Sequence, residues 1–147
     1  VQVGIMVETP AAAIMTPVLA KYVDFFSIGT NDLVQYTLAV DRGNANISYL
    51  YNHFNPAVLR LVQRTISSAR ENGIWAGMCG EMASDPNAAV LLMAMGISEL
   101  SMSAPSIPRV KEKIRSISSV KAKEILADVM AMEDGDDIRN YLQKILG

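Results

Sequence analysis

The stretch FFSIGTNDLVQYTLAVDRGN, from Phe25 to Asn44, begins with a largely apolar strand that ends abruptly at polar residues, among them Asn31 and Asp32. Two other strand-like runs end in the same way, GIMV before Glu8 and IWAGM before Cys79. Functional side chains of parallel α/β folds gather at the carboxyl ends of strands. Here the three strand ends carry a carboxylate, an amide beside a carboxylate, and a thiol. This pattern favours a functional role over a purely structural one.

The rest of the chain alternates between apolar strands and helices. We predict strands over residues 3–7, 24–29, 74–78 and 99–103. We predict helices as follows: two short ones that start at Pro10 and Pro17, one over 32–38, one from Pro56 to before Gly73, one from Pro86 to before Gly96, one from Pro108 through Lys113, and terminal helices within 118–147, over 120–132 and 137–146.

This order requires parallel strands joined by crossover helices, and two α/β architectures compete for it. A doubly wound sheet can be complete in 147 residues, whereas a TIM-type β/α barrel needs eight strands and about 250 residues. The sequence has no GxGxxG or GxxxxGK[ST] phosphate loop, which disfavours the nucleotide-binding open sheets. We therefore expect one domain, residues 1–147, that is a C-terminal half-barrel of about four strands plus terminal helices.

Composition excludes several classes of function. The 13 Lys and Arg against 15 Asp and Glu give no basic field of the kind that holds nucleic acid. The longest apolar stretch, residues 88–97, is shorter than the roughly 20 residues that span a bilayer. With one cysteine and no signal-peptide pattern, a soluble cytoplasmic protein is expected, and a first residue that is Val1 rather than Met indicates a piece of a longer protein.

Glu8 and Asp32 are candidate metal ligands. In a parallel sheet their carboxylates can converge on one cation, and two carboxylates with water are a usual setting for Mg²⁺ beside a phosphorylated substrate. Zinc is disfavoured because the chain has one Cys and one His. The alternative is that both residues are helix caps or first-turn acids.

Three further residues are candidates for the chemistry of a site. Arg42 lies in the loop sequence DRGNAN, where its guanidinium can bind a carboxylate or phosphate with two hydrogen bonds, or simply be solvated. Asn31 can donate to a phosphate oxygen or cap the following helix. Cys79, between two glycines, can act as a general acid because a free thiol is mostly protonated at neutral pH, although a lone cysteine is more often buried and inert.

The remaining unusual residues have simpler explanations. His53, the one histidine, is expected to line a loop rather than to act in catalysis. Trp75 and the apolar cluster from Leu91 to Met95 are expected in the core.

These motifs resemble the C-terminal, phosphoenolpyruvate-binding domain of enzyme I of the bacterial sugar phosphotransferase system. The resembling stretches, between Gly4 and Ala83, are GIMVETPAA, DFFSIGTNDLVQYTLAVDRGN, YLYN with NPAVLRL, and GMCGEMA, followed by the more distant SMSAPSIPRVK. Pyruvate phosphate dikinase and phosphoenolpyruvate synthase share GTNDL and GMCGE, and a relative of these two enzymes is one alternative. A non-catalytic module that binds a metabolite and dimerises is another.

The resemblance implies a role for each candidate residue. Glu8 and Asp32 would ligate Mg²⁺; Asn31, Asp32 and Arg42 would contact phosphoenolpyruvate; and Cys79 would be the proton donor that releases pyruvate. The family's reaction transfers the phosphoryl group to a histidine on a separate N-terminal domain and then to a histidine-containing phosphocarrier protein.

The resemblance covers only the second half of the family's barrel. The phosphorylated histidine, the phosphocarrier-binding region and the first half-barrel with its additional substrate arginines lie outside it, so this chain alone is expected to be inactive. The family is dimeric through this domain, and a homodimer is therefore expected.

Overall fold

The computed structural model describes residues 1–147 and contains four strands and eight α-helices. The strands are β1 (Gly4–Val7), β2 (Phe25–Gly29), β3 (Trp75–Cys79) and β4 (Glu99–Leu100). The helices are α1 (Pro10–Leu19), α2 (Thr30–Leu38), α3 (Pro56–Glu71), α4 (Glu81–Ser84), α5 (Pro86–Met95), α6 (Ile107–Arg115), α7 (Ser119–Met130) and α8 (Gly135–Leu146). Two single 3₁₀ turns occupy Ser48–Leu50 and Ala104–Ser106.

The four strands form one parallel sheet in the order β1-β2-β3-β4, which is also their order along the chain. Right-handed crossovers between strands placed in sequence put all the connecting helices on one face of the sheet. A doubly wound sheet instead reverses its strand order. The structure is thus a mixed α/β fold with a parallel sheet. Its strand order lacks the reversal that a doubly wound sheet would show and is consistent with half of a β/α barrel.

The two faces of the sheet differ in burial. On the helix-covered face, Val7, Phe26, Ile28 and Met78 are buried in the hydrophobic core together with residues of α3, α5, α7 and α8. On the open face, Met6 is 45% exposed. The unbroken apolar sequence of β1 therefore does not mean that both of its faces are buried.

Trp75 belongs to this open face, so its predicted place in the core is wrong. Its ring stacks on Phe25 with the centroids 4.3 Å apart, and its indole Nε1 donates to Gln2 Oε1 at 3.2 Å. Tryptophan is large and carries a donor, so a half-buried position with a polar partner suits it. Leu91 and Leu92 are buried in the core as predicted.

Helix α1 is continuous where two short helices were predicted. Pro17 has no N–H to give to the carbonyl of Ala13, four residues earlier, and this loss usually breaks a helix. Here the buried hydroxyl of Thr16 donates to that carbonyl at 2.9 Å, so the oxygen stays paired. The helix therefore passes through its proline.

The other boundaries agree with the predicted ones to within two residues, except in two places. Strand β4 ends at Leu100 instead of residue 103, because the 3₁₀ turn at Ala104–Ser106 redirects the chain into α6. The one-turn helix α4 was not predicted, since four residues are too few to show a helical period. Side-chain caps at Thr9, Asn55 and Asp85 start α1, α3 and α5 directly before the prolines that predicted these helices. No helix of the chain combines the length and apolar character needed to cross a membrane.

Candidate functional site

The carboxyl ends of β1, β2 and β3 lie side by side, and they bring most of the predicted site residues to one edge of the sheet. Glu8 follows β1 directly, Asn31 and Asp32 lie in the first turn of α2 after β2, and Cys79 ends β3 in register with Gly29. Adjacent parallel strands produce this gathering, which is the arrangement inferred from the three strand ends.

Glu8 extends across the neighbouring strand. Its Cγ and Oε1 atoms lie 2.6 Å from the position that a Cβ on Gly29 would occupy. The absence of a side chain at Gly29 therefore gives the Glu8 side chain its place. Glu8 does not cap α1, because Thr9 does so by accepting from Ala12 N at 3.2 Å. The cap interpretation of Glu8 is excluded.

Two hydrogen bonds join the first turn of α2 to the residues at and just after the end of β3. Thr30 Oγ1 donates to the Cys79 carbonyl at 3.2 Å, and Asn31 Oδ1 accepts from the Glu81 backbone N–H at 3.0 Å. Gly80 allows this approach: it has φ of +103°, and a Cβ there would lie 2.6 Å from Thr30 Oγ1. The first turn of α2 is thus fixed relative to the end of β3.

These contacts narrow the roles of the two α2 residues. The N-cap of α2 is Gly29, so Asn31 does not cap that helix. Its Oδ1 is engaged with Glu81, and its Nδ2 donates no hydrogen bond within the protein. Asp32 is a first-turn acid of α2, as the alternative interpretation expected, and this position does not prevent it from binding a cation.

Cys79 is half-buried and not sealed in the core. Its Sγ lies 3.8 Å from Ser27 Oγ and 3.8 Å from the Ile28 carbonyl oxygen, toward which the thiol points as a donor. The inert, fully buried cysteine of the alternative interpretation is therefore not observed.

Arg42 lies in an exposed segment of consecutive turns next to this edge. Its backbone N–H donates to Gln35 Oε1 of α2 at 3.3 Å, and Asp41 Oδ1 accepts from Gly43 N at 2.8 Å. The turns fix the backbone of the segment, and the guanidinium forms no ion pair with a carboxylate of the protein.

Tyr51 and Glu81 are site residues to which the sequence assigned no role. The Tyr51 hydroxyl donates to the Asn31 carbonyl at 3.2 Å. Its pKa is raised above the ordinary value, first by burial and then by the Glu81 and Asp32 carboxylates, while the Arg42 guanidinium opposes these effects. The only signal for Tyr51 in the sequence was its place within the YLYN motif.

The charged groups at this edge have no ion-pair partners within the protein. The three ion pairs of the structure are His53–Asp85, Lys121–Glu124 and Arg139–Asp136. No group of three or more His, Cys, Asp or Glu residues is arranged to hold a metal ion. Glu8, Asp32 and Glu81 carry unpaired carboxylates at this edge. Carboxylates suit a hard cation that completes its shell with water or substrate oxygens.

His53 lies in the loop before α3, as expected. Its Nε2 is 3.3 Å from Asp85 Oδ2, and its ring packs against Phe54. Burial raises the pKa of Asp85, but His53 and the backbone N–H groups of Ala88 and Asn87 outweigh it, so the pKa is below its ordinary value. The pair borders a polar cleft of about 550 Å³ that Glu81 also lines.

Comparisons with known proteins agree on one family. The model of the PEP-binding domain of PEP-utilising enzymes matches residues 1–119. Three similar proteins, each named phosphoenolpyruvate-protein phosphotransferase, come from Buchnera aphidicola (51% identity over 146 residues, 99% of this chain and 26% of that protein), Haemophilus influenzae (58% over 128, 87% and 22%) and Lactococcus lactis (50% over 138, 91% and 24%). The chain thus spans about a quarter of the length of these relatives.

Proposed function

The chain belongs to the family of PEP-utilising enzymes, whose PEP-binding domain it matches over most of its length, and on this premise we propose that it is the substrate-binding part of a phosphotransferase. The enzyme moves the phosphoryl group of phosphoenolpyruvate to a protein histidine and releases pyruvate. The observation that carries this proposal is the meeting of Glu8, Asn31, Asp32 and Cys79 at one edge of the sheet.

The architecture that fits this function is half of a β/α barrel. Strands in chain order, helices on one face and an open second face are what four of the eight strands of a barrel would show. The carboxyl ends of the strands are then the catalytic face. The site residues lie at that face.

The anionic substrate would be bound by groups that are free in the protein. Asn31 Nδ2 is a donor without a protein acceptor, and the Arg42 guanidinium has no carboxylate partner. The first turn of α2 has no side-chain cap, which leaves its N–H groups open to an anion. Glu8 and Asp32 would hold Mg²⁺, which supplies positive charge to the phosphate and to the enolate oxygen.

Cys79 would complete the reaction as a general acid. When the bond between phosphorus and the enol oxygen breaks, its electron pair stays on that oxygen and the phosphoryl group passes to the acceptor histidine. The enolate carbonyl reforms, its methylene carbon takes the thiol proton of Cys79, and pyruvate results. The thiolate left behind regains a proton from solvent, which its half-buried position permits.

The acceptor of the phosphoryl group and the pathway that it serves are inferred from the resemblance. The phosphoryl group would continue to a histidine-containing phosphocarrier protein in cytoplasmic sugar uptake, through parts of the enzyme other than this chain. His53 does not serve as the acceptor, because it is held against Asp85 and Phe54. We therefore expect no phosphotransfer by the isolated chain. Pyruvate formed from phosphoenolpyruvate by this chain with Mg²⁺ and phosphocarrier would refute that expectation.

The test of the substrate site is calorimetric titration with phosphoenolpyruvate, with and without Mg²⁺, using the protein as its gene encodes it. Asp32→Ala should abolish the Mg²⁺-dependent part of binding. Glu133→Ala, which removes an exposed carboxylate between α7 and α8, is the matched control and should have no effect. Unchanged affinity in Asp32→Ala would rule out the metal assignment.

We also propose that the chain self-associates. Strands β1 and β4 each have one unpaired edge, and the open face exposes Met6. Unpaired edges favour association with a second copy. Light scattering should give the mass of a dimer, and a monodisperse monomer would contradict the proposal.

A further inference from the structure

Tyr51 lies where three parts of the site meet. Its hydroxyl donates to the Asn31 carbonyl in the first turn of α2. The Glu81 carboxylate, at the first residue of α4, raises the pKa of this hydroxyl, and the Arg42 guanidinium, in the exposed loop, lowers it. One phenolic oxygen thus contacts or faces groups that come from three different segments of the chain.

The segment that follows this tyrosine is firmly held. Asn52 Nδ2 donates to Asp136 Oδ1 at the start of α8, at 3.2 Å. His53 is 3.3 Å from Asp85 at the start of α5, and Phe54 is 3% exposed in the core. Three consecutive residues therefore tie the loop to two helices and to the core, so the phenol is placed by the rigid part of the fold.

Arg42 is less firmly held than the phenol. It lies in an exposed loop, and its backbone N–H donates to the Gln35 side chain. A tyrosine hydroxyl has one proton and two lone pairs, so after donating to Asn31 it can still accept from a guanidinium. The Arg42 guanidinium is close enough to lower the pKa of this hydroxyl, both by its charge and as a hydrogen-bond donor.

We propose that Tyr51 is a positioning residue of the phosphoenolpyruvate site, whose hydroxyl holds the Asn31 backbone and orients the Arg42 guanidinium toward the substrate. This inference rests on the proposed function. It assigns to Tyr51 no contact with the reacting atoms; its effect on the substrate passes through Arg42 and Asn31.

The test uses Tyr51→Phe, which removes the hydroxyl alone, in the protein as its gene encodes it. Phosphoenolpyruvate affinity, measured by calorimetry with saturating Mg²⁺, should fall by about fivefold to tenfold, as expected for one lost hydrogen bond near charged groups. In an Arg42→Gln background the same substitution should cause a smaller loss than in the wild type, because one of the two groups through which the hydroxyl acts is gone. Tyr49→Phe, at a tyrosine that is 78% exposed, is the matched control and should bind like the wild type.

The outcomes separate the two proposals. If the wild type binds with Mg²⁺ and Asp32→Ala does not, but Tyr51→Phe binds normally, the positioning role is wrong and the proposed function stands. An equal loss from Tyr51→Phe with and without Arg42 would mean that the hydroxyl does not orient the Arg42 guanidinium, and would also overturn the inference. A wild type without Mg²⁺-dependent binding would overturn the proposed function and this inference together.

Discussion

Replacing Gly29 with alanine tests whether Glu8 is held in place by the absence of a side chain on β2. The new Cβ would lie 2.6 Å from Glu8 Cγ and Oε1, whereas ordinary contacts begin at 3.4 Å, so the carboxylate must move by about 0.8 Å. Ligand distances in metal sites hold to about 0.2 Å. The displaced carboxylate would therefore leave the coordination position, and we expect the affinity for Mg²⁺ or Mn²⁺ to fall by about tenfold to a hundredfold.

The same substitution should leave the fold intact. Gly29 has φ of −89°, which alanine adopts without strain, and the atoms that must move belong to a flexible side chain. Gly→Ala at a compatible position even gains about 0.4 to 1 kcal/mol by restricting the unfolded chain. The midpoint of thermal unfolding should therefore stay the same or rise.

Mn²⁺ binding followed by electron paramagnetic resonance measures the effect directly. Glu8→Gln provides the reference for complete loss of the ligand. Gly77→Ala is the matched control, because its Cβ would press on Glu99 and Trp75 instead of Glu8. If Gly29→Ala binds Mn²⁺ like the wild type while Glu8→Gln does not, the steric reasoning is wrong. If neither variant weakens binding, Glu8 is not a ligand.

Two further predictions concern stability and are measured by urea unfolding. Thr16→Ala should lower the free energy of unfolding by about 1 to 3 kcal/mol, because it leaves the buried Ala13 carbonyl without a partner, and a loss below about 0.5 kcal/mol would contradict this. Asp85→Asn should lower the free energy of unfolding at neutral pH. The pKa of Asp85 in the folded protein is below its ordinary value of 3.8. The stability that the charged Asp85 contributes is therefore complete above pH 3.8 and is lost as the pH falls through the folded pKa. A difference between Asp85→Asn and the wild type that is independent of pH from 7 to 3 would refute this assignment.

The elements that could be predicted from sequence are those with local signals. The starts of α3 and α5 follow from Asn55-Pro56 and Asp85-Pro86, where a capping side chain precedes a proline at the first helical position. Such signals need no knowledge of the rest of the fold. Continuity of α1 could not be predicted, because it depends on a threonine hydroxyl that takes over a backbone bond.

The residues of the candidate site also fall into those that could be predicted from the sequence and those that could not. Residues at strand ends, such as Glu8 and Cys79, are visible from the sequence because the parallel arrangement forces strand ends together. Tyr51 was assigned no role, because its loop is 20 residues from Asn31 and reaches the site only through anchors on α5 and α8. The prediction that Trp75 lies in the core was also wrong, because the sequence of β3 does not show which face of the sheet lacks helices.

The two glycines of the site explain how neighbouring strand ends fit together. Glu8, after β1, lies across Gly29 at the end of β2, and the side chains of Thr30 and Asn31, after β2, lie against Gly80 just beyond β3. Each strand end thus accommodates side chains from the strand before it, in the order of the sheet. A polar residue at one strand end requires a glycine at the next, because any Cβ there would fall within about 3 Å of that residue. The GTND and CGE motifs therefore couple chemistry to packing. Gly29→Ala should disturb the site before it disturbs the fold, whereas Gly80→Ala should also strain the backbone, because Gly80 has φ of +103°.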